Sequence, residues 1–526
     1  MEGPSTNRLP QKTRQPLPWL LAGCLWLAQP AASFAQLYAP GSYATIPAGS
    51  TPAAVVQRAA HVVPAPRQLR WQQLELTGFL HFGMNTFTNK EWGDGTESPS
   101  LFNPTSLDAG QWVRTCKAGG IKQVIITAKH HDGFCLWPSQ YTEHSVKSSP
   151  WKGGKGDVVR EVADACHAQG MGFGVYLSPW DRHSPYFGDS AKYNNYFVNQ
   201  LTELLTNYGR VDEVWFDGAN GEGPTGRKQV YDFARWYALI RKLQPTAVIA
   251  VMGPDVRWVG TESGYGRETE WSVVPLDAQR QDKVAANSQK EVAFAPKNMM
   301  DADLGSRAKI APAPALVWYP AEIDVSIRPG WFYHPAEDDK VKTPAQLLDI
   351  YNSSVGRNGV LLLNLPPDKR GLIAQPDIDH LKGFSKLLAD TYATNLLRGS
   401  TISGLGATQT TALLDASYRT YWTTPARDTT ATLTFALPKP QTFNVLQLQE
   451  NITLGQRIES FVLEYKSGAA WKTAATGTTV GYKRILTFAP VQARQVRLRI
   501  TSSRLNPTLS AIGLYRQPAE AALPKP

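Results

Sequence analysis

Short apolar runs that end in polar residues recur along the first three quarters of the chain. The clearest run, Val214 to Phe216, is followed at once by Asp217. Residues 123–128 repeat the pattern and lead into His130 and His131. Catalytic groups of parallel barrels lie at the C-terminal ends of the strands, so this pattern predicts an enzyme site at the mouth of such a barrel.

Strand-like and helix-like segments alternate between residues 66 and 392. The predicted strands are Gly78 to Gly83, Gln123 to Ala128, Gly172 to Leu177, Glu213 to Phe216, Ala247 to Met252 and Val360 to Leu365. The predicted helices are Leu107 to Cys116, Val158 to Ala168, Lys192 to Tyr208 and Gly226 to Leu243. The alternation predicts an α/β fold, a (β/α)8-like TIM barrel that is irregular in its second half. Gln279 to Pro314 breaks the rhythm and is predicted to be an insertion on the barrel rim.

From about residue 393 the helical periodicity disappears and short alternating runs replace it. These are Ala431 to Ala436, Thr442 to Gln449, Ile458 to Tyr465, Arg484 to Phe488 and Gln495 to Ile500. Such runs between turn residues predict a β-sandwich domain over residues 393–519, followed by a tail of residues 520–526.

The N-terminal 35 residues have the pattern of a signal peptide. A basic start precedes an apolar stretch too short to span a bilayer, and small residues permit cleavage after Ala35. Cys24 lies in a box similar to that of bacterial lipoproteins, so lipid anchoring is a minority alternative to a secreted or periplasmic location. Residues 36–65 are predicted to be an extended lead-in, and no later segment is apolar enough to span a membrane.

Composition narrows the function classes only moderately. The chain has 526 residues, 42% of them hydrophobic, and a net charge of +10 without a Lys/Arg-rich block. We therefore expect charge spread over the surface and no nucleic-acid partner. The 16 Trp and 20 Tyr weakly favour a carbohydrate site, although core packing explains any single ring equally well. Cys116, Cys135 and Cys166 are predicted to be buried free thiols.

Polar and aromatic residues with possible roles in chemistry cluster at the predicted strand ends. They are His81, Glu91, Trp92, His130, His131, Tyr176 and Asp217. Three histidines at two strand ends favour a pocket for a polyhydroxyl ligand over structural roles. Metal-assisted hydrolysis is a minority alternative, since adjacent His130 and His131 would point to opposite faces of a strand and no HxxxH or CxxC spacing supports a metal site.

Glu262 supplies a second carboxyl group, in a glycine-bounded loop beyond the strand that ends at Met252. Two carboxyl groups that flank one bond are what glycoside hydrolysis requires. Glu268 and Glu270 are rivals for this role. An aromatic cluster from Trp318 to His334 suits sugar stacking or, with equal weight, packed closure of the barrel.

Together these segments resemble the α-L-fucosidases of glycoside hydrolase family 29. The matching motifs, in family order, are His81-Phe82-Gly83, Lys129 to Phe134, Val214 to Gly218, Gly253 to Trp258, Ser326 to Trp331 and Leu362 to Pro367. The C-terminal domain resembles a discoidin-like jelly roll, whose role is glycan binding or packing against the barrel.

The resemblance implies a retaining exo-fucosidase that acts on fucosylated oligosaccharides without a metal or organic cofactor. It implies Asp217 as nucleophile and, from an Arg257-to-Glu262 stretch like that of the α-1,3/1,4-specific subgroup, Glu262 as acid/base, about 5–5.5 Å apart. The implied substrate-binding residues are His81, Glu91, Trp92, His130, His131, Tyr176, Trp215 and Trp331. A broad-specificity fucosidase for α-1,2 or aryl fucosides and a catalytically silent fucose-binding protein are the alternatives.

Overall fold

The computed structural model describes residue 3 and residues 39–276, 302–404, 411–415 and 417–523. The predicted signal peptide with Cys24, residues 279–301 of the predicted rim insertion and residues 524–526 of the tail lie outside the described residues. Within the described part, no helix has the length and apolar character needed to cross a membrane.

Eight parallel strands form a nearly closed barrel. They are β1 Leu76–Leu80, β2 Gln123–Lys129, β3 Gly172–Leu177, β4 Glu213–Phe216, β5 Val248–Val251, β6 Arg257–Trp258, β7 Ala321–Ser326 and β8 Val360–Asn364. Hydrogen-bonded neighbours follow the order β5-β4-β3-β2-β1-β8-β7-β6. The predicted TIM-like barrel is confirmed, and the sequence patterns missed β6 and β7.

The barrel is irregular where β5 and β6 meet. They stand at the two ends of the strand order and are joined by five residues, Met252 to Val256, with no intervening helix. Asp255 stabilises this link, because its carboxylate accepts hydrogen bonds from the Ile249 amide and the Arg67 guanidinium, both at 2.9 Å. Successive parallel strands are normally joined through a helix, so the alternation of helices and strands could not reveal β6.

Helices cover the outside of the barrel. The longer ones are Pro66–Gln72, Ala109–Ala118, Val158–Ala168, Ser190–Asn207, Phe233–Leu243, Pro344–Ser354 and Gln375–Tyr392. Two shorter helices lie elsewhere: Met84–Thr88 follows β1, and Arg307–Ile310 packs with the helix Pro52–Ala59. Four of these helices begin at an aspartate whose carboxylate accepts the amide hydrogen three residues on: Asp108, Asp157, Asp189 and Asp232.

Two sequence predictions for these segments are wrong. The helix predicted from Gly226 starts only at Phe233, because Asp232 caps it and Gly226 has a φ of +66°. The lead-in is not extended throughout, since Pro52–Ala59 is a helix that Thr51 caps. Its buried Val55 and Val56 pack with Ile310 and Leu316. This packing provides the stabilisation that local composition could not predict.

A three-stranded antiparallel sheet lies beside the barrel, formed by Tyr43–Thr45, Ala315–Trp318 and Val273–Pro275. Its middle strand begins at Ala315, directly after the predicted insertion. The described part of that insertion reaches the C-terminal domain, where Arg307 forms an ion pair with Glu459 at 2.8 Å.

Alternation along β4 sets the position of the site. Glu213 and Trp215 contact groups inside the barrel, and Asp217 is the next residue of the same face, just beyond the strand. Trp215 packs in an aromatic core with Phe79 and Tyr176, at ring-centroid distances of 5.2 Å to each. The floor beneath Asp217 is therefore a rigid aromatic layer.

The C-terminal domain is an antiparallel β-sheet structure, which confirms the predicted discoidin-like class. Its main strands are Thr401–Ser403, Ala431–Gln449, Ile458–Ser467, Ala470–Gly477, Arg484–Ser503 and Ala511–Tyr515, with a small pair from Trp422–Thr423 and Thr508–Leu509. Two pairs of predicted short strands are merged, because Ala431–Gln449 and Arg484–Ser503 continue through register shifts. Alternating Leu433, Phe435, Leu498 and Ile500 fill the core.

Candidate active site

Asp217 is held by hydrogen bonds to both carboxylate oxygens. Its Oδ2 accepts from the Tyr176 hydroxyl at 3.1 Å, and its Oδ1 accepts from the Ala219 amide at 2.6 Å. Burial, and then the charge of Asp217, keep the pKa of Tyr176 well above its ordinary value, so this hydroxyl stays a donor. The Asp217 side chain is 25% exposed. It is thus oriented by protein groups and accessible from the barrel mouth.

His131 lies beside Asp217 with a defined tautomer. The Ser178 hydroxyl donates to the Trp180 carbonyl at 2.6 Å and must therefore accept from His131 Nδ1 at 2.8 Å. Burial lowers the pKa of His131, and the neighbouring Asp217 offsets part of that effect. A neutral imidazole protonated at Nδ1 presents its unprotonated Nε2 toward Asp217 Oδ2, 3.8 Å away. His131 can accept a hydrogen bond from a ligand hydroxyl at this position.

His81 and His130 form the adjoining wall. His81 Nδ1 lies 2.9 Å from Asn364 Oδ1, and His130 Nδ1 lies 3.3 Å from Asn85 Nδ2. Burial lowers the pKa of His81 to about 3 and that of His130 well below its ordinary value. Both imidazoles are therefore neutral near pH 7, which suits hydrogen bonding to uncharged hydroxyl groups.

The expectation that His130 and His131 point to opposite faces is wrong. β2 ends at Lys129 after a register shift, so the two histidines lie in a turn and not on a strand. Their ring centroids are 4.1 Å apart. The Trp92 ring lies 5.5 Å from that of His131, which brings Trp92 to the same side of the site.

Glu262 and Trp331 meet at the rim. The Trp331 indole Nε1 donates to Glu262 Oε2 at 3.1 Å. Partial burial raises the pKa of Glu262, and the negative charges of Asp217 and Glu91 raise it further, whereas the indole hydrogen bond lowers it. A carboxyl group with a raised pKa, within electrostatic range of Asp217, can act as a proton donor near neutral pH.

Glu91 fixes the segment that carries Trp331. Its carboxylate accepts from the Trp331 amide at 2.8 Å, the Phe332 amide at 3.1 Å and His334 Nε2 at 2.7 Å. All of these bonds are internal to the protein. Glu91 therefore lies beside the site and also stabilises the rim segment that carries Trp331.

Trp215 is almost fully buried, and its indole Nε1 donates to Glu322 Oε2 at 2.7 Å. It lies under Asp217 as part of the floor. Burial, together with neighbouring Glu213, raises the pKa of Glu322 well above its ordinary value, so the barrel interior below the site holds a protonated carboxyl group.

The rival carboxyl groups are engaged elsewhere. Glu270 is buried and forms ion pairs with Arg257 and Arg267. Glu268 pairs with Arg357 and Arg484, the latter from the C-terminal domain. Glu262, by contrast, lies within electrostatic range of Asp217.

No cluster of three or more His, Cys, Asp or Glu side chains is arranged to hold a metal ion among the residues that the structure describes. Cys116, Cys135 and Cys166 are buried and free, as the sequence predicted.

Several residues of the site carried no role in the sequence analysis. Asn364 Oδ1 accepts a hydrogen bond from His81 Nδ1. Its Nδ2 donates to Ser326 Oγ at 2.9 Å and to the Trp331 carbonyl at 2.8 Å. Its position at the end of β8, as a polar residue after an apolar run, is the same signal that identified Asp217. Ser178 directly follows β3, and Asn85 lies in the short helix Met84–Thr88.

Comparisons with known proteins agree with this arrangement. A family model described as Alpha-L-fucosidase matches residues 66–391, and a model described as F5/8 type C domain matches residues 398–513. The Alpha-L-fucosidase 1 of Arabidopsis thaliana is 44% identical over 466 residues, which cover 86% of this chain and 87% of that protein.

Solved structures are similar over most of the chain. A structure from Bacteroides ovatus has 50% identity and a TM-score of 0.82, with 92% of this chain and 79% of that chain covered. A GH29 fucosidase of Ruminococcus gnavus, determined in complex with fucose, has 33% identity and a TM-score of 0.76, with 88% and 96% covered.

Proposed function

The chain belongs to the α-L-fucosidase family of glycoside hydrolases, and on that premise we propose that Asp217 is its nucleophile and Glu262 its acid/base. The observation that carries this assignment is the held, accessible Asp217 carboxylate, with Glu262 in its electrostatic range at the rim. Retention of anomeric configuration is general in this family, and two carboxyl groups can accomplish it without further reagents.

In the first step, Asp217 Oδ attacks the anomeric carbon of the fucosyl unit as the glycosidic bond breaks. Glu262 transfers its proton to the leaving oxygen, so a fucosyl ester of Asp217 and a free alcohol result. In the second step, the Glu262 carboxylate takes a proton from water, whose oxygen displaces Asp217 from the anomeric carbon. Fucose leaves with its original configuration, and Glu262 is protonated again.

The remaining predicted residues are assigned to fucose binding. His81, His130 and His131 are neutral and can exchange hydrogen bonds with hydroxyl groups, while Tyr176 orients the nucleophile. Trp92 and Trp331 offer apolar faces at the mouth, and Trp215 supports the floor. Glu91 acts on this pocket by holding the segment of Trp331.

The proposed substrates are glycans with α-1,3- or α-1,4-linked fucose, as on branched Lewis-type structures. Support comes from Glu262, which has the rim position and partners of an acid/base, in the stretch that resembles this subgroup. The test is fucose release from a Lewis-type trisaccharide and from 2'-fucosyllactose by the wild-type chain and Asp217→Ala.

Release from the Lewis-type substrate alone is expected, with a loss of about 10³-fold or more in the variant. Equal release from both substrates would instead assign the chain to a broad-specificity fucosidase. If Asp217→Ala kept full turnover, the nucleophile assignment would be wrong. If the wild-type chain released nothing but bound fucose, a silent binding protein would be the correct description.

Secretion is part of the same proposal and rests on the N-terminal signal pattern. Expression of the full chain in a bacterium, followed by intact mass of the mature protein, tests it. A mass that begins at Gln36 is expected. A lipid-modified N-terminus at Cys24 would favour the anchored alternative.

A further inference from the structure

The formal charge of the chain is concentrated in its C-terminal quarter. Residues 393–526 contain 15 Lys and Arg against 6 Asp and Glu, a net charge of +9. Residues 66–392 contain 35 against 37 and carry a net charge of −2. The expectation of charge spread over the surface is therefore wrong. A domain with one dominant sign of charge attracts ligands of the opposite sign.

A cleft of about 590 Å³ opens in this domain where two long strands lose their pairing. Ala436 pairs with Gln495, and pairing resumes only at Gln441 with Ala493. Pro438 and Pro440 fall within the interruption. Neither has an amide hydrogen to donate to the neighbouring strand, so the gap is built into the sequence.

The cleft is basic and its positive charge is not neutralised. Lys466 and Arg494 line it, and the exposed Arg398 and Lys439 each follow or precede a lining residue in the chain. None of these four side chains forms an ion pair within the described residues. By contrast, Arg497 and Arg499 on the same sheet both form ion pairs with Glu464.

Lys466, which lines the cleft, lies far along its strand from the contact of this domain with Arg307. The strand Ile458–Ser467 begins next to the barrel, where Glu459 contacts Arg307 at 2.8 Å. Lys466 is seven residues further along this strand, which corresponds to roughly 23 Å at about 3.3 Å per residue. None of the residues that line the cleft belongs to the proposed fucosidase site.

We propose that this cleft is a second binding site, for an acidic polysaccharide that carries carboxylate or sulfate groups. Lys466 and Arg494 would bind the acidic groups, and the Thr401 and Gln495 side chains in the lining can bond to sugar hydroxyls. The site is separate from the fucosidase reaction and does not depend on its linkage specificity. Its effect would be to hold the enzyme on an acidic glycan matrix.

The lining favours a polysaccharide over the other polyanions. Among the described residues, none of the large exposed apolar side chains lines the cleft, and such anchors are what a lipid surface requires. Base stacking in single-stranded nucleic acid needs a free aromatic face. The nearby Trp471 ring is instead covered by the Arg497 guanidinium, 4.3 Å from its centroid.

The test is binding of the full chain to polygalacturonate, dextran sulfate and neutral dextran at fixed ionic strength. The cleft variant is Lys466→Glu with Arg494→Glu. The matched control is Lys242→Glu with Lys382→Glu, which changes net charge equally at exposed positions on barrel helices. Turnover of a Lewis-type trisaccharide checks that both variants are folded, and vesicles of phosphatidylserine provide a different polyanion.

Binding to polygalacturonate, to dextran sulfate or to both, but not to dextran, is expected. The acidic ligand that binds identifies carboxylate or sulfate as the recognised group. The cleft variant should bind at least about 10-fold more weakly, and the control within about 2-fold of wild type, with turnover of the Lewis-type trisaccharide unchanged in both. Equal weakening in the two variants, binding to vesicles alone, or binding to none of the probes would overturn the proposal.

Discussion

The indole nitrogen of Trp331 lies 3.1 Å from Oε2 of Glu262, and Trp331 is itself fixed through its backbone amide by Glu91 at 2.8 Å. The side chain that the sequence predicted as a sugar platform therefore also orients the proposed acid/base. Trp331 packs against the aromatic core of the barrel, so the Glu262 position is coupled to that rigid layer.

Trp331→Phe should move the basic limb of the pH profile to higher pH. The indole hydrogen bond stabilises the ionised Glu262 and lowers its pKa, so its loss raises that pKa. The basic limb of kcat/KM reports deprotonation of the acid in the free enzyme. We also expect kcat/KM at the optimum to fall by about 3- to 10-fold from lost orientation. Trp471→Phe, in the C-terminal domain, is the control and should leave the limb in place.

Glu91→Gln should move the same limb in the opposite direction. The negative charge of Glu91 raises the pKa of Glu262, and an uncharged isostere removes that contribution. The basic limb of kcat/KM should therefore shift to lower pH. Since Glu91 also holds the Trp331 segment, the optimum value should fall as well. A shift of both variants in one direction would contradict the assignment of this limb to Glu262.

The loss of kcat/KM in Glu262→Ala should depend on the leaving group of the substrate. A natural disaccharide needs protonation of its leaving oxygen, so kcat/KM should fall by about 10²–10⁴-fold. An aryl fucoside with a strongly acidic phenol needs no such help and should lose far less. Added azide should restore turnover of that substrate and yield α-fucosyl azide with retained configuration. Full activity on the disaccharide would show that another carboxyl group is the acid/base.

The strand-end argument predicted the positions of Asp217, His81 and His131 because a parallel barrel places all strand ends at one edge. It worked where apolar runs were continuous, as in β2 and β4. It failed for β6, which has two residues and follows β5 without a helix, and for β7, whose Glu322 and Asp324 interrupt the apolar run. Buried carboxyl groups in a barrel interior cannot be distinguished from surface charges by periodicity.

Contacts and strand pairing between segments far apart in the chain cannot be predicted from local sequence patterns. The contact of Asn364 with His81 joins residues 283 positions apart. The merging of predicted short strands into Ala431–Gln449 depends on tolerance of a register shift at Pro438 and Pro440, which reads locally as a turn. Local patterns thus predicted the individual helices and strands, whereas pairing between distant segments determined which predicted strands merge into longer ones.

His81 should make the fold less stable as pH falls below about 6.5. Its pKa in the folded protein is about 3, because burial disfavours the charged ring. Between pH 6.5 and 3 the unfolded chain binds a proton at this residue and the folded chain does not, so the free energy of unfolding decreases with falling pH. The expected cost approaches about 4 kcal/mol near pH 3, at about 1.4 kcal/mol per pH unit.

Thermal unfolding of His81→Gln across pH 4 to 8 checks this. The variant should show a shallower fall of Tm at acidic pH than the wild-type chain. His61→Gln, which replaces an exposed histidine, is the matched control. Equal slopes for wild type and His81→Gln would mean that His81 is not the buried neutral group described above.

The C-terminal domain contacts the strip of chain that follows the Glu262 loop, and this contact should affect catalysis. Thr479 Oγ1 accepts from the Glu270 amide at 3.1 Å, and Gln456 Nε2 donates to the Glu270 carbonyl at 3.0 Å. The Glu270 carboxylate in turn binds Arg257 and Arg267, which stand before and after the loop that carries Glu262.

Thr479→Val with Gln456→Leu should therefore impair proton donation more than fucose binding. Thr479→Val removes the acceptor of the Glu270 amide, and Gln456→Leu removes that of the Ser272 amide, at a cost of about 1–3 kcal/mol each. Because the acid/base loop would lose its support, kcat/KM should fall by at least about 10-fold for a disaccharide and by less than about 3-fold for an activated aryl fucoside. Thr473→Val, exposed on the outer hairpin, is the control. If the contact were purely structural, kcat/KM for both substrates would fall in parallel with the folded fraction. That outcome would show that the domain does not position Glu262.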